Sequence, residues 1–323
     1  MYVANYGDGT VSVIDTTTNT VIDTDPSTPE IDPITVGDNP RGIAYNPDNQ
    51  RMYVTNSGDG TVSVIDTTTN TVIDTDPSTP EIDPITVGFE PLGVAHDSEN
   101  ERMYVANYGD GTVSVIDTTT NTVIDTDPST PEIDPITVGV FPIGITYDSE
   151  NERMYVANNG DLTVSVIDTT TNTVIGSPIE VAGNPEGITY GSTTLDVYVA
   201  NFIGNTVSVI DTTTNTVIGD PIEVGQNPAG IAFDPVNDRV YVANFGENTV
   251  SVINLCPRPQ LQQQSTNDII TTTGNNNDHT VIKNMMEQKE QKQIEEEQNV
   301  QTNNVIQPKD VTTKDTHNKN ILE

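Results

Sequence analysis

One cysteine in 323 residues excludes a disulfide framework within the chain. Basic residues are almost as scarce, with 12 Lys and Arg against 48 Asp and Glu. A surface so acidic repels phosphate, which argues against nucleic acid and anionic lipid as partners. No stretch approaches the roughly 18 consecutive apolar residues of a membrane span. The start, MYVANYGDGT, has neither a basic opening nor an apolar core, so it does not read as a signal peptide. Three histidines, His96, His279 and His317, lie far apart, and no CxxC, no Ser/His/Asp set and no phosphate-cradling glycine loop occurs. Haem, copper and quinone chemistry would need ligands that this chain lacks. These absences favour a non-enzymatic role without cofactors.

What is present is a repeat. The phrase Tyr-Val-x-Asn begins at Tyr2, Tyr53, Tyr104, Tyr155, Tyr198 and Tyr241, with spacings of 51, 51, 51, 43 and 43 residues. TVSVIDTTTNTVI follows the first five almost letter for letter, and the sixth stops at TVSVIN, ending in Asn254. Later units open with Pro-x-Gly, as at Pro40–Gly42 and Pro228–Gly230. Each unit reads as four short strands, typified by Gly42–Tyr45, Met52–Asn56, Thr61–Asp66 and Thr71–Gly88. Their Val, Ile, Thr and Tyr suit a pleated, buried sheet. Gly58–Gly60, Asn46–Gln50 and Asp66–Asn70 supply the turns between them. The second and third strands are apolar on both faces, so neighbouring sheets must cover them. Four antiparallel strands in about 40–45 residues mark a β-propeller blade.

The residues Tyr53–Asn56 (YVTN) and the VSVIDTTTNTV that follows resemble the repeats of YVTN-family β-propellers, found in archaeal and bacterial surface-layer and cell-surface proteins. The resemblance covers Met1 to about Asn254. It implies an all-β propeller and an extracellular or cell-surface setting, without specifying an activity. The expected units lie near 1–37, 38–88, 89–139, 140–183, 184–225 and 226–254. The first begins at its second strand and the last ends at its third. Six sheets are expected; five blades, or a piece of a ring of seven, are the alternatives. Met1 stands where Met52, Met103 and Met154 stand, which points to an internal methionine with more propeller and a leader upstream. Residues 255–323, with Cys256 near their start, are Gln- and Asn-rich and polar, and read as mostly disordered. Within them Ile282–Val300 is helix-prone, and Asp268–Asn284 is a Thr-rich candidate for a missing outer strand.

Three groups of residues are candidates for function. The connections flanking the Pro-x-Gly proline, and those after Tyr-Val-x-Asn, fall on one face of a propeller. They carry the variable positions, among them Tyr6, Arg41, Phe89, Tyr108, Phe141, Phe202 and Phe245. An aromatic face beside acidic loops is a candidate surface for a protein or glycan partner, or else a plug over the grooves between blades. The first three units carry an extra eight residues in their last strand (DTDPSTPEIDP), with Pro26, Pro29 and Pro33 suited to protecting an edge. There Asp23, Asp25, Glu30 and Asp32 are candidate calcium ligands, though off the EF-hand pattern. Through these rims the chain would assemble laterally as an envelope component; otherwise it is expected to be a monomer. Finally Asn5, Asn56, Asn107, Asn158, Asn201 and Asn244 recur as a six-membered set, either capping their own turns or lining an axial site.

Overall fold

The computed structural model describes residues 1–255 apart from 26, 28–29, 77, 79–81, 128 and 130–131. The expected tail beyond Leu255, its helix at 282–300, the Asp268–Asn284 strand, Cys256, His279, His317, Pro26 and Pro29 therefore lie outside the described residues. Six antiparallel sheets form a six-blade propeller, and among the described residues there is no helix. Among the described residues no helix is long and apolar enough to cross a membrane.

The third sheet shows the plan. Its innermost strand is Pro91–Asp97, followed outward by Arg102–Asn107 and Thr112–Asp117. The fourth strand is not continuous: Thr122–Ile124 and Ile136–Thr137 both pair with Thr112–Asp117, one at each end. The extra eight residues fall in the sequence between those pieces. The same break occurs in the short fourth unit, where Thr173–Val174 and Ile179–Glu180 pair with Thr163–Asp168. The first unit's outer pieces, Thr20–Ile22 and Ile34–Thr35, pair with its own Thr10–Asp15, which rules out the five-blade arrangement. The last sheet has three strands, Pro228–Asp234, Arg239–Asn244 and Thr249–Asn254.

Strand side chains alternate with period two, so each sheet presents one apolar comb forward and another backward. Tyr53, Val62, Val64 and Ile85 of the second sheet meet Met103, Val105 and Ile116 of the third. Four further clusters repeat that arrangement between the other consecutive sheets. Polar contacts follow the same relay. The hydroxyls of Tyr2, Tyr53, Tyr104 and Tyr155 donate to Asn70, Asn121, Asn172 and Asn215 of the next sheet's DTTTN turn, at 2.6, 2.9, 2.6 and 2.6 Å. Arg102 and Arg153 donate to Thr169 O and Thr212 O, each at 2.7 Å. This explains why YV and DTTTN recur together, since one unit's tyrosine needs the next unit's asparagine.

At the axis the glycine of Pro-x-Gly has a steric reason. A Cβ on Gly42, Gly93, Gly144 or Gly187 would lie 2.2–2.3 Å from the carbonyl oxygen of the residue before the next sheet's glycine. Innermost strands this close leave room only for hydrogen.

Candidate functional site

The two connections expected on one face do lie side by side. In the third unit Gly109 N and Tyr108 N donate to Phe89 O and Glu90 O, each at 3.0 Å, and Phe89 N donates to Asp110 Oδ2 at 2.6 Å. Asp59 and Asp161 hold Asp38 N and Val140 N in the same way, at 2.6 and 2.7 Å. In the second, third and fourth units one carboxylate thus clamps the loop that carries the variable side chains. The Phe89 ring lies over Gly109, where a Cβ would come within 2.2 Å of it.

Most of the rings are not plugs. Phe89, Tyr6, Phe141 and Phe245 are 60%, 50%, 42% and 74% exposed, while Tyr108 and Phe202 are half-buried. Tyr6, Arg41, Phe89 and Tyr108 line one cavity of about 430 Å³ together with Asn39 and Glu90. The Arg41 guanidinium sits 4.5 Å from the Tyr6 ring centroid, and Tyr108 stacks on Phe141 at 4.7 Å. Phe202 and Phe245 form a separate tilted pair at 6.4 Å on the last two sheets. Phe141 holds a left-handed backbone (φ 56°) where Asn39 and Asn227 stand in other units. For a bulky residue that conformation is unfavourable.

Arg41 differs from the other four arginines of residues 1–255. Arg51, Arg102 and Arg153 donate to the next sheet's turn carbonyls, and Arg239 occupies the same position in the last sheet. Arg41 alone reaches the loop face. There it also borders a second cavity, of about 280 Å³, at the mouth of the axis, with Leu92, Ile143, Glu186 and Ala229. Glu186 is one of the variable loop-face positions, but the sequence alone did not single it out as a binding candidate. It occupies the x of a Pro-x-Gly, and that variable position inside an otherwise fixed phrase was the available signal. Burial pushes its carboxyl up from the ordinary value, and the Arg41 charge partly offsets the rise. Ile203, 66% exposed beside Phe202, was also missed.

The recurring asparagines serve the blades rather than an axial site. Each Nδ2 donates to a threonine and a serine of its own sheet's third strand, as Asn56 does to Thr61 (3.0 Å) and Ser63 (2.9 Å). Asn5, Asn107, Asn158, Asn201 and Asn244 do the same. They tie the second strand to the third, and all but Asn5 are buried.

The rim acids shape their own loop. Asp23 Oδ1 accepts from Asp25 N (3.1 Å) and Asp32 N (3.2 Å), and Asp25 Oδ1 accepts from Ser27 N and Oγ. Thr24 Oγ1 donates to Asp32 O at 2.7 Å. The Ser27 contacts hold the Asp25 carboxyl below the usual carboxylate range. Among the described residues no three acidic, histidine or cysteine side chains are grouped as a metal would need, so Asp23, Asp25, Glu30 and Asp32 do not converge as a calcium site.

With this geometry in hand, comparison with known proteins places the chain among β-propellers. A family model described as lactonase, 7-bladed beta-propeller, matches residues 1–135. Hydrazine synthase of Kuenenia stuttgartiensis is similar at a TM-score of 0.50 and 16% identity, covering 80% of this chain and 92% of that one. A functionally unknown protein from Desulfotomaculum acetoxidans is similar at a TM-score of 0.60 and 17% identity, covering 79% and 75%. At such identities the likeness is one of fold. No curated protein matches the chain.

Proposed function

We propose that the chain is a non-enzymatic binding scaffold of the YVTN cell-surface type, engaging a protein or glycan partner through its loop face. One observation carries this reading. The Tyr-Val-x-Asn and TVSVID positions that repeat are consumed inside the central blades, while the few positions that vary in the loop-face connections present exposed rings. Phe89, Tyr6, Phe141, Phe245 and Ile203 stand out there, and amphipathic or apolar rings in such numbers serve contact better than solubility. Carboxylates beside them favour a partner with positive charge, drawn in by the field of a propeller that holds five arginines, no lysine and 38 acids.

The name of the matching family model invites a lactone-hydrolysing alternative. Against it, His96 lies at the end of its strand remote from the loop face, and the face offers no nucleophile paired with a base. The decisive experiment screens peptide and glycan arrays with the wild type and with a Phe89→Ala/Tyr108→Ala/Phe245→Ala variant. Ligands whose binding falls at least about tenfold in the variant support the scaffold. Array binding that ignores the rings, or saturable lactone hydrolysis by the wild type, overturns it.

A further inference from the structure

The mouth of the axis carries chemistry that an aromatic contact face does not need. Five side chains border that cavity, one from each complete innermost strand: Arg41, Leu92, Ile143, Glu186 and Ala229. Each is the x of Pro-x-Gly, and the following glycine brings its strand against the next so tightly that x faces the shared cavity. The repeat therefore builds a ring of independently variable positions. In this chain three are apolar, one is cationic and one anionic.

The two charges lie on the second and fifth sheets, three blades apart. They form no ion pair with each other. Arg41 is held by its stacking on Tyr6, which leaves guanidinium N–H groups free, and the half-buried Glu186 carboxylate has no hydrogen-bond partner. The Arg41 charge offsets only part of the cost of half-burying Glu186, and a ligand that bonds to both groups can relieve the rest.

We propose that this axial pocket binds a short apolar peptide with both termini free, its carboxylate on Arg41, its ammonium on Glu186 and its side chains against Leu92 and Ile143. Guanidinium matches a carboxylate with two parallel N–H···O bonds. A simple anion would leave Glu186 unpaired and would have to enter a strongly negative field. A simple cation would meet Arg41. A zwitterion satisfies both charges and carries no net charge into the field. Charges three blades apart call for termini separated by residues, each adding about 3.3–3.6 Å when extended, rather than for a single amino acid.

The inference does not depend on the aromatic face binding a macromolecule, because Phe202 and Phe245 do not line this pocket. Titration calorimetry of the full chain with leucyl-leucine, N-acetyl-leucyl-leucine and leucyl-leucinamide tests it. Expected is saturable one-to-one binding of the free dipeptide, weakened at least about tenfold by capping either end. Glu186→Gln should lower dipeptide affinity by a similar factor and leave the N-acetyl peptide unchanged, and Arg41→Gln should do the converse for the amide. Phe245→Ala should change none of these. No saturable binding by the wild type, or affinities indifferent to capping, would overturn the proposal without any variant having to fold.

Discussion

The five contacts between consecutive sheets and the seam between the sixth sheet and the first are built from the same letters and behave differently. Val164, facing the fifth sheet, is fully buried, whereas Val250, its equivalent in the sixth, is 61% exposed. Val54, Val105, Val156 and Val199 are fully buried, and Val3 is 38% exposed. The Tyr104 hydroxyl reaches Asn172, while that of Tyr241 has no hydrogen-bond partner among the described residues. A residue of this repeat is thus worth what the neighbouring sheet makes it worth, as one-dimensional arrays lead one to expect.

Paired substitutions across that contrast sharpen it, beginning at the axis. Gly93→Ala sets a methyl 2.3 Å from Ile143 O, a backbone atom that cannot swing away. The expected loss is about 3 kcal/mol or more, read by denaturant unfolding. Gly230→Ala meets nothing nearer than the Ala243 Cβ at 3.7 Å and should be neutral, or stabilising by about 0.4–1 kcal/mol. Equal losses at the two glycines would show that the seam is packed in solution.

The apolar combs come next. Val164→Ala deletes methyls from a sealed interface and should cost about 2 kcal/mol, while Val250→Ala should stay within about 0.5 kcal/mol of wild type. For the polar relay, Tyr104→Phe loses a 2.6 Å hydrogen bond in a buried setting, about 1 kcal/mol, and Tyr241→Phe loses none. A comparable drop in both members of either pair would break the comparison.

One further test lies in a turn. The last residue between second and third strands has a positive φ in every unit and is glycine in the first three, Gly9, Gly60 and Gly111. Leu162 occupies it in the fourth (φ 59°), where a left-handed backbone costs an L-residue roughly 1–2 kcal/mol. Leu162→Gly should raise thermal stability by about 0.5–1 kcal/mol, net of the entropy that glycine loses on folding. An unchanged or lower Tm would mean that the leucine side chain offsets its own backbone.

Much of the fold was legible because the repeat states each strand six times, and period two with glycine-rich turns leaves few alternatives. Which strands were apolar on both faces, such as Met52–Asn56, already implied stacked sheets. The broken outer strand was not legible, because TVI and IT read as one stretch unless their partners on Thr112–Asp117 are known. The loop face was recognised from variable positions and alternating strand direction, yet pairwise geometry was beyond reach. Tyr108 on Phe141, or Arg41 on Tyr6, joins residues from different units. Glu186 was visible as a variable position but not as a candidate, because one glutamate in a chain of 48 acids is not set apart until its burial is seen.

The smallest expected effect concerns His96. It stands on the innermost strand of the third sheet where the other units have Tyr45, Tyr147, Tyr190 and Phe233. The Nε2 of this half-buried ring is sealed from solvent with no hydrogen-bond partner. Burial pushes its pKa below the ordinary value, opposed in part by the charges of Asp48, Asp97 and Glu101. The folded protein therefore resists taking up a proton that the unfolded chain accepts below about pH 6.5. The linked stability is fully present above that pH and is lost as pH falls toward the depressed folded value. Protonating carboxylates on so acidic a surface relieves repulsion over part of the same range, so the wild type alone is ambiguous. The difference between wild type and His96→Tyr removes that background, since both share the same acids. Between pH 7.5 and 5.5 the wild type should lose more Tm, or gain less, than the variant. Parallel pH profiles would mean that His96 is solvated enough to titrate as it does in the unfolded chain.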